Sequence, residues 1–144
     1  GKVWKNNFSQ YQKIINENNL IKNCLIHNKF IHHNDVGYYY SSADLVVLPY
    51  KRIYQSGVLM MSMSYEKAVL VSDLPSLTEV IKDKETGFVF ETENPRSLSS
   101  KLNYILSDFD SLERISKNGI QFIKTKYDWR DIGNQTKISY KSIL

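Results

Sequence analysis

The chain has 144 residues, 42% of them hydrophobic and including ten tyrosines and six phenylalanines, with 19 Lys and Arg against 15 Asp and Glu. This is enough apolar material for the core of one domain and excludes a disordered chain; the net charge of +4 is modest and scattered, so it permits an anionic partner without demanding one. A single cysteine, Cys24, excludes an intramolecular disulfide and reads as a small buried hydrophobe in a reducing compartment, and no window reaches the roughly 18 continuous apolar residues of a membrane-crossing helix, so the chain reads as soluble.

In chain order, Lys2-Val3-Trp4 reads as the tail of a strand with nothing ahead of it. Asn7 or Ser9 caps a helix with Tyr11, Ile14 and Ile15 on one face, ending near Asn18-Asn19. Cys24-Leu25-Ile26, extending toward Phe30, reads as a strand. Asn34 is expected to cap a short helix with Asp35 in its positive first turn and with Val36, Tyr39 and Tyr40 facing inward. Leu45-Val46-Val47-Leu48 is the next strand, stopped by Pro49. A helix over Gly57 to Tyr65, with Val58, Met61 and Tyr65 on its inner side, leads to the strand Ala68 to Ser72. Pro75 turns into a short helical piece holding Leu77, Val80 and Ile81, and Gly87 opens the strand Phe88-Val89-Phe90. Asn94-Pro95 is a helix start, an N-cap followed by proline at the first helical position, and Leu98, Leu102, Ile105 and Leu106 keep a core-facing period. Two further helices carry Leu112, Ile115 and Phe122, and then Trp129, Ile132, Thr136, Tyr140 and Ile143 on one face.

Runs of four or five apolar residues suit strands buried on both faces. Strands alternating with helices, and helices at the end, predict a single compact α/β unit built on a doubly wound parallel sheet. Ligands on such sheets collect at the carboxyl ends of the strands, which directs attention to the loop after Leu48. There Tyr54-Gln55-Ser56-Gly57 lies past a strand and ahead of a helix. Glycine lets an oxygen-rich ligand approach the backbone, the helix start favours phosphate, and Lys51 and Arg52 add charge. The same residues also fit a tight turn eased by Gly57 and a solvated basic loop, because a Ser-Gly pair is far less specific than a full glycine fingerprint. Neither a Walker A loop nor a G-x-G-x-x-G fingerprint occurs, which counts against ATPase and dinucleotide roles.

His27, His32 and His33 lack metal-site spacing: no carboxylate follows at four residues and there is no second cluster, so no metal is expected. Phe30-Ile31-His32 either lines a base pocket with its backbone or is surface loop. Tyr38-Tyr39-Tyr40 fits core packing beside Val36 better than a stacking platform for nucleic acid. Asp73, Glu79 and Asp83 fit caps and turns as well as a carboxylate pair, and none is given acid or base work.

The series Tyr39-Tyr40, Ala43-Asp44, Val46-Val47-Leu48-Pro49-Tyr50, Gln55-Ser56-Gly57-Val58, Ala68 to Asp73, Glu79-Val80-Ile81, Thr86-Gly87-Phe88-Val89 and Tyr127-Asp128-Trp129 resembles the carboxyl-terminal half of a retaining glycosyltransferase of group 1, or family 4. The resemblance covers nearly the whole chain. It implies a two-domain GT-B enzyme of the hexosyltransferase type, in which a carboxyl-terminal Rossmann-like domain binds a nucleotide-diphospho-sugar and an amino-terminal domain supplies the acceptor site. It further implies retention of anomeric configuration without a metal or other cofactor, the leaving diphosphate being stabilised by cations and helix-end amides. Residues 1–144 are then one donor-binding domain, truncated on its amino-terminal side, whose last helix packs back on the absent domain. The resemblance places the enzyme in bacterial polysaccharide or lipid-linked glycan synthesis, in the cytoplasm, with the inner membrane surface reached through the absent domain.

The donor-binding candidates on this reading are the amides of Ser56, Gly57 and Val58 for phosphate, Lys51 and Arg52 for charge, Tyr54 and Gln55 for the sugar and the Ile31 backbone for the base. The family's two glutamates, seven residues apart, fall here near Ile53 or Tyr54 and at Met61 or Ser62, so neither carboxylate is present. The Arg and Lys that grip the diphosphate fall upstream of Gly1. A chain with half its cleft is expected to be inactive alone, and to carry an adhesive inter-domain face. Two rival readings are a non-catalytic partner subunit with weak or no nucleotide binding, and a nucleic-acid-binding domain, against which the scattered lysines argue. Sugar, nucleotide and acceptor are not legible.

Overall fold

Three short strands and seven helices alternate along the described residues of the computed structural model, which are 1, 3 and 7–143. The elements are α1 (Ser9–Glu17), α2 (His33–Ser41), β1 (Leu45–Leu48), α3 (Gly57–Ser64), β2 (Ala68–Ser72), α4 (Pro75–Thr78), β3 (Phe88–Phe90), α5 (Pro95–Leu106), α6 (Phe109–Lys126) and α7 (Trp129–Lys141). Lys2 and Trp4, expected to end a strand, lie outside the described residues. The contacts divide the chain into two units, Gly1–Tyr39 and Tyr40–Leu144, where the sequence predicts one.

In the first unit no described residue is buried. α1 starts where the Asn7 Oδ1 accepts from the Ser9 amide at 2.9 Å, and ends at Asn18 and at Asn19, which takes the left-handed conformation with φ of 56°. The strand expected over Cys24 to Phe30 does not form. Leu25 and Phe30 are 88% and 68% exposed, and Cys24 is exposed rather than buried. Among the described residues no backbone ladder forms along it. The segment is met by the Gly1 ammonium, which donates to the His27 carbonyl at 3.0 Å, and by the Val3 amide, which donates to the Asn28 side chain at 3.1 Å instead of to a main-chain carbonyl. α2 begins at His33, so Asn34 is inside the helix and not its cap, with Asp35 in the first turn as expected. Tyr39, expected to face inward, stays 38% exposed, its ring edge-on to His27 and its hydroxyl hydrogen-bonded to His27 Nδ1.

The second unit is built on a parallel sheet in the order β1-β2-β3, with Leu45 opposite Ala68 and Leu70 opposite Phe88. Successive residues of each strand serve opposite faces. Val46, Leu48, Val69, Val71 and Val89 join Leu59 and Met63 of α3, Leu77 of α4, and Val80 and Ile81. Leu45, Val47, Ala68, Leu70, Phe88 and Phe90 join Leu98, Leu102 and Ile105 of α5 and Leu112 and Ile115 of α6. All five residues of β2 are buried, which explains its unbroken apolar run. Fully buried side chains such as Leu59, Leu70 and Phe88 stabilise the unit by about 1.5–3 kcal/mol each. Each face of the sheet is thus covered by helices, as the sequence predicts.

Two helix faces need correction. α3 buries Leu59, Ser62 and Met63, while the predicted inner residues Val58, Met61 and Tyr65 are each more than two-fifths exposed. Ser62 can be buried because its hydroxyl donates to the Val58 carbonyl at 2.7 Å. In α5, Leu106 is 52% exposed, outside the stripe made by Leu98, Leu102 and Ile105. In α7 no residue is buried, and Trp129 is 82% exposed. Among the described residues no helix is long and apolar enough to cross a membrane.

Candidate functional site

The chain leaves β1 through Pro49 and runs over the carboxyl edge of the sheet before entering α3. Ile53 anchors this loop in the hydrophobic cluster, and its carbonyl accepts from the Ser76 hydroxyl of α4 at 2.9 Å. Ser56 is the N-cap of α3, extended at φ −127° and ψ 101°, with its Oγ accepting from the Leu59 amide at 3.1 Å. The Met60 amide donates to the Ser56 carbonyl at 3.3 Å. Among the described residues nothing accepts from the amides of Gly57 and Val58, so two donors at the positive end of the helix face outward.

Gly57 adopts no left-handed conformation, and a Cβ built on it meets no atom within 4 Å. The turn therefore does not need glycine to form. What glycine leaves is bare backbone beside an open cleft.

That cleft has a volume of about 410 Å³ and is lined by Tyr54, Gln55, Ser56, Gly57, Leu59, Met60, Ser76, Glu79, Val80 and Tyr127. Four of the predicted site residues, Tyr54 to Gly57, come together in it. Ser76, Glu79 and Tyr127 join them from α4 and the end of α6. Tyr127 is held by a ring contact with Phe122 at 6.3 Å, and Tyr54 is 90% exposed at the rim. A second cleft of about 470 Å³, including Asp44, Lys67, Ala68 and Glu113, lies at the amino ends of β1 and β2. In parallel α/β sheets ligands bind at the opposite, carboxyl end, which favours the first cleft.

The other predicted residues fall outside the lining of that cleft. Lys51 forms an ion pair with Glu93 at 2.7 Å, and its ammonium holds the Glu93 carboxyl below the usual glutamate range. Arg52 is exposed with no ion pair among the described residues. Val58 is exposed one residue into α3, Met61 is exposed further along, and Ser62 is buried on the far side. Ile31 lies half-buried in the first unit, ahead of α2.

The three acidic residues weighed from sequence separate by role. Asp73 braces the sheet's carboxyl edge, accepting from the amide and hydroxyl of Thr92, and these hydrogen bonds hold its carboxyl below the usual aspartate range. Asp83 accepts from the Val89 amide at 2.8 Å and pairs with Lys101 at 2.9 Å. Glu79 is left in the cleft.

A parallel sheet flanked by helices, with a helix start and a cleft at its carboxyl edge, defines a Rossmann-like class of domain. The match is specific: residues 4–122 fit the model of the family described as glycosyl transferases group 1, and the chain belongs to that family. It is 33% identical over 104 residues to the uncharacterized glycosyltransferase MJ1607 of Methanocaldococcus jannaschii, an alignment covering 71% of this chain and 26% of the relative. The fold is that of the carboxyl-terminal domain of GT-B glycosyltransferases. Sucrose-phosphate synthase (tll1590) from Thermosynechococcus elongatus superposes with a TM-score of 0.86 at 21% identity, over 99% of this chain and 37% of that one. Anabaena Alr3699/HepE in complex with UDP superposes at 0.84 and 18% identity, over 93% and 36%. The chain spans about a quarter to a third of the length of the curated relatives it matches.

Proposed function

We propose that the chain binds a nucleotide-diphospho-sugar as the donor half of a retaining glycosyltransferase that builds a glycan or lipid-linked glycan. The diphosphate lies against the outward amides of Gly57 and Val58, with Arg52 supplying charge and Lys51 joining it by leaving Glu93. The sugar lies in the adjoining cleft against Tyr54 and Gln55. Departure of the nucleoside diphosphate needs stabilisation of developing negative charge, which oriented amides and cations supply without a metal. The acceptor is held by an amino-terminal domain beyond these residues, so the chain alone is inactive in transfer.

The observation that carries this reading is Gly57. Its φ is not in the left-handed region and its Cβ position is open, so the fold does not require glycine there and the bare backbone leaves room for a ligand at the outward amides. Support comes from the solved relatives, since Anabaena HepE has been crystallised with UDP and with UDP-glucose.

The test is a calorimetric titration with UDP, GDP, UDP-glucose and a short oligonucleotide at two salt concentrations. One nucleoside diphosphate is expected to bind, and binding is expected to vanish in Ser56→Trp. Gly57→Ala is expected to weaken it while leaving the melting temperature unchanged or raising stability by about 0.4–1 kcal/mol. No heat with any nucleotide would sink the donor-binding reading. A different outcome, weak nucleotide binding without transfer in the whole enzyme, is the signature of a non-catalytic partner; that reading is favoured by the absence of the two glutamates that the resemblance implies near Ile53 or Tyr54 and at Met61 or Ser62.

A further inference from the structure

We infer that Glu79 is the carboxylate with which this cleft recognises the hydroxyls of a sugar ring. The inference rests on the donor-binding reading above and deepens it. Among the described residues Glu79 is the one acidic residue lining the cleft, and no Lys or Arg lines it. Among the described residues its side chain makes no hydrogen bond or ion pair, whereas the acidic neighbours Asp73 and Asp83 are both engaged.

An ionised carboxylate only accepts hydrogen bonds, with capacity for several, so its natural complement is a ligand with adjacent O–H donors. A phosphate offers no such donors and is repelled. A pair of ring hydroxyls satisfies both oxygens at once. The remaining lining suits the same ligand: the Gln55 amide can donate and accept, Tyr127 brings a phenolic hydroxyl, and the exposed Tyr54 ring offers a face to C–H groups.

Placement of Glu79 is also coupled to the phosphate turn. The Ser76 hydroxyl ties α4 to the Ile53 carbonyl, three residues ahead of Ser56, and Val80 and Ile81 beside Glu79 are anchored in the core. The backbone at Glu79 and the outward amides of α3 are therefore held on one rigid frame, as a site for a sugar joined to a diphosphate requires.

The hydroxyl pair could belong to the transferred sugar or to the ribose of the nucleotide. Titration of the wild-type chain, Glu79→Gln and Glu79→Ala with UDP, 2′-deoxy-UDP and UDP-glucose separates the two. Removing a charged hydrogen-bond acceptor from bound hydroxyls is expected to weaken binding roughly ten- to a hundredfold, with Gln intermediate. Loss confined to UDP-glucose assigns Glu79 to the transferred sugar. Loss shared by UDP and UDP-glucose, but absent with 2′-deoxy-UDP, assigns it to the ribose. Both outcomes support the inference. Unchanged affinity for all three ligands overturns it and leaves donor binding standing; failure of the wild type to bind any of them removes both. Glu79 is exposed, so the variants are expected to melt with the wild type. Glu113→Gln, which breaks only the pair with Lys117 at the other end of the sheet, is expected to bind normally.

Discussion

At the residue scale, two glycines in this chain do opposite things. Gly87 is buried at the entry to β3, where an added Cβ would meet the Ile81 and Val69 methyl groups at 2.9 Å and the Val69 carbonyl at 3.1 Å. Gly87→Ala is expected to destabilise by about 1–3 kcal/mol, since branched side chains held in the core cannot swing aside, and urea unfolding of the pair measures it. Gly57 faces open space, so its replacement is expected to spare stability and affect binding. Gly57 was legible as a candidate because a small residue follows a strand and opens a helix. Glu79 was not legible as one, because a carboxylate after a short proline-led helix fits a cap or turn equally well, and only the fold brings it opposite Tyr54 and Gln55.

At the scale of elements, strands were easier to read than helix faces. β1, β2 and β3 announce themselves as apolar runs, because helices cover the sheet on both sides and no alternation is required. The run over Cys24 to Phe30 has similar composition but Asn28 and Lys29 interrupt it, and among the described residues no main-chain ladder receives it. α3 defeats periodicity for another reason. Val58, Leu59, Met60, Met61 and Met63 are apolar almost all round the helix, and a serine that bonds its own helix backbone takes one of the inner positions. Between elements, Asp73 joins the end of β2 to the turn after β3 through Thr92. Its carboxyl is held below the ordinary aspartate range, so its contribution to stability is fully present above about pH 4 and is lost as pH falls through the lowered folded value. Asp73→Asn is expected to flatten that acid limb, and melting temperatures of both proteins from neutral to acid pH read it out. Parallel limbs would show the brace to be uncharged in its effect.

At the scale of the whole molecule, the buried residues among those described all lie between Leu48 and Gly119. The first unit contributes none among its described residues and α7 contributes none, so both are expected to open at little free-energy expense. Limited trypsin digestion should cut first at Lys13, Lys22 or Lys29, leaving a resistant piece that contains the sheet. A chain ending at Tyr127 should melt within a few degrees of the full one. A large drop in melting temperature on that truncation would show that α7 is held by more than its exposure indicates.

The strands lie side by side in the order in which they are made, β1 then β2 then β3, each joined to the next by a single crossover. Parallel pairing is usually slow because distant segments must meet before anything is gained. Here every pairing partner is the nearest one the crossover permits, so the entropy lost in closing each loop is close to the least a parallel sheet allows. During synthesis β1, α3, β2 and α4 can gather around Leu59, Met63 and Leu77 before β3 arrives. Substitutions in that first cluster should therefore slow refolding, while those at Phe90 or Leu112 should mainly hasten unfolding.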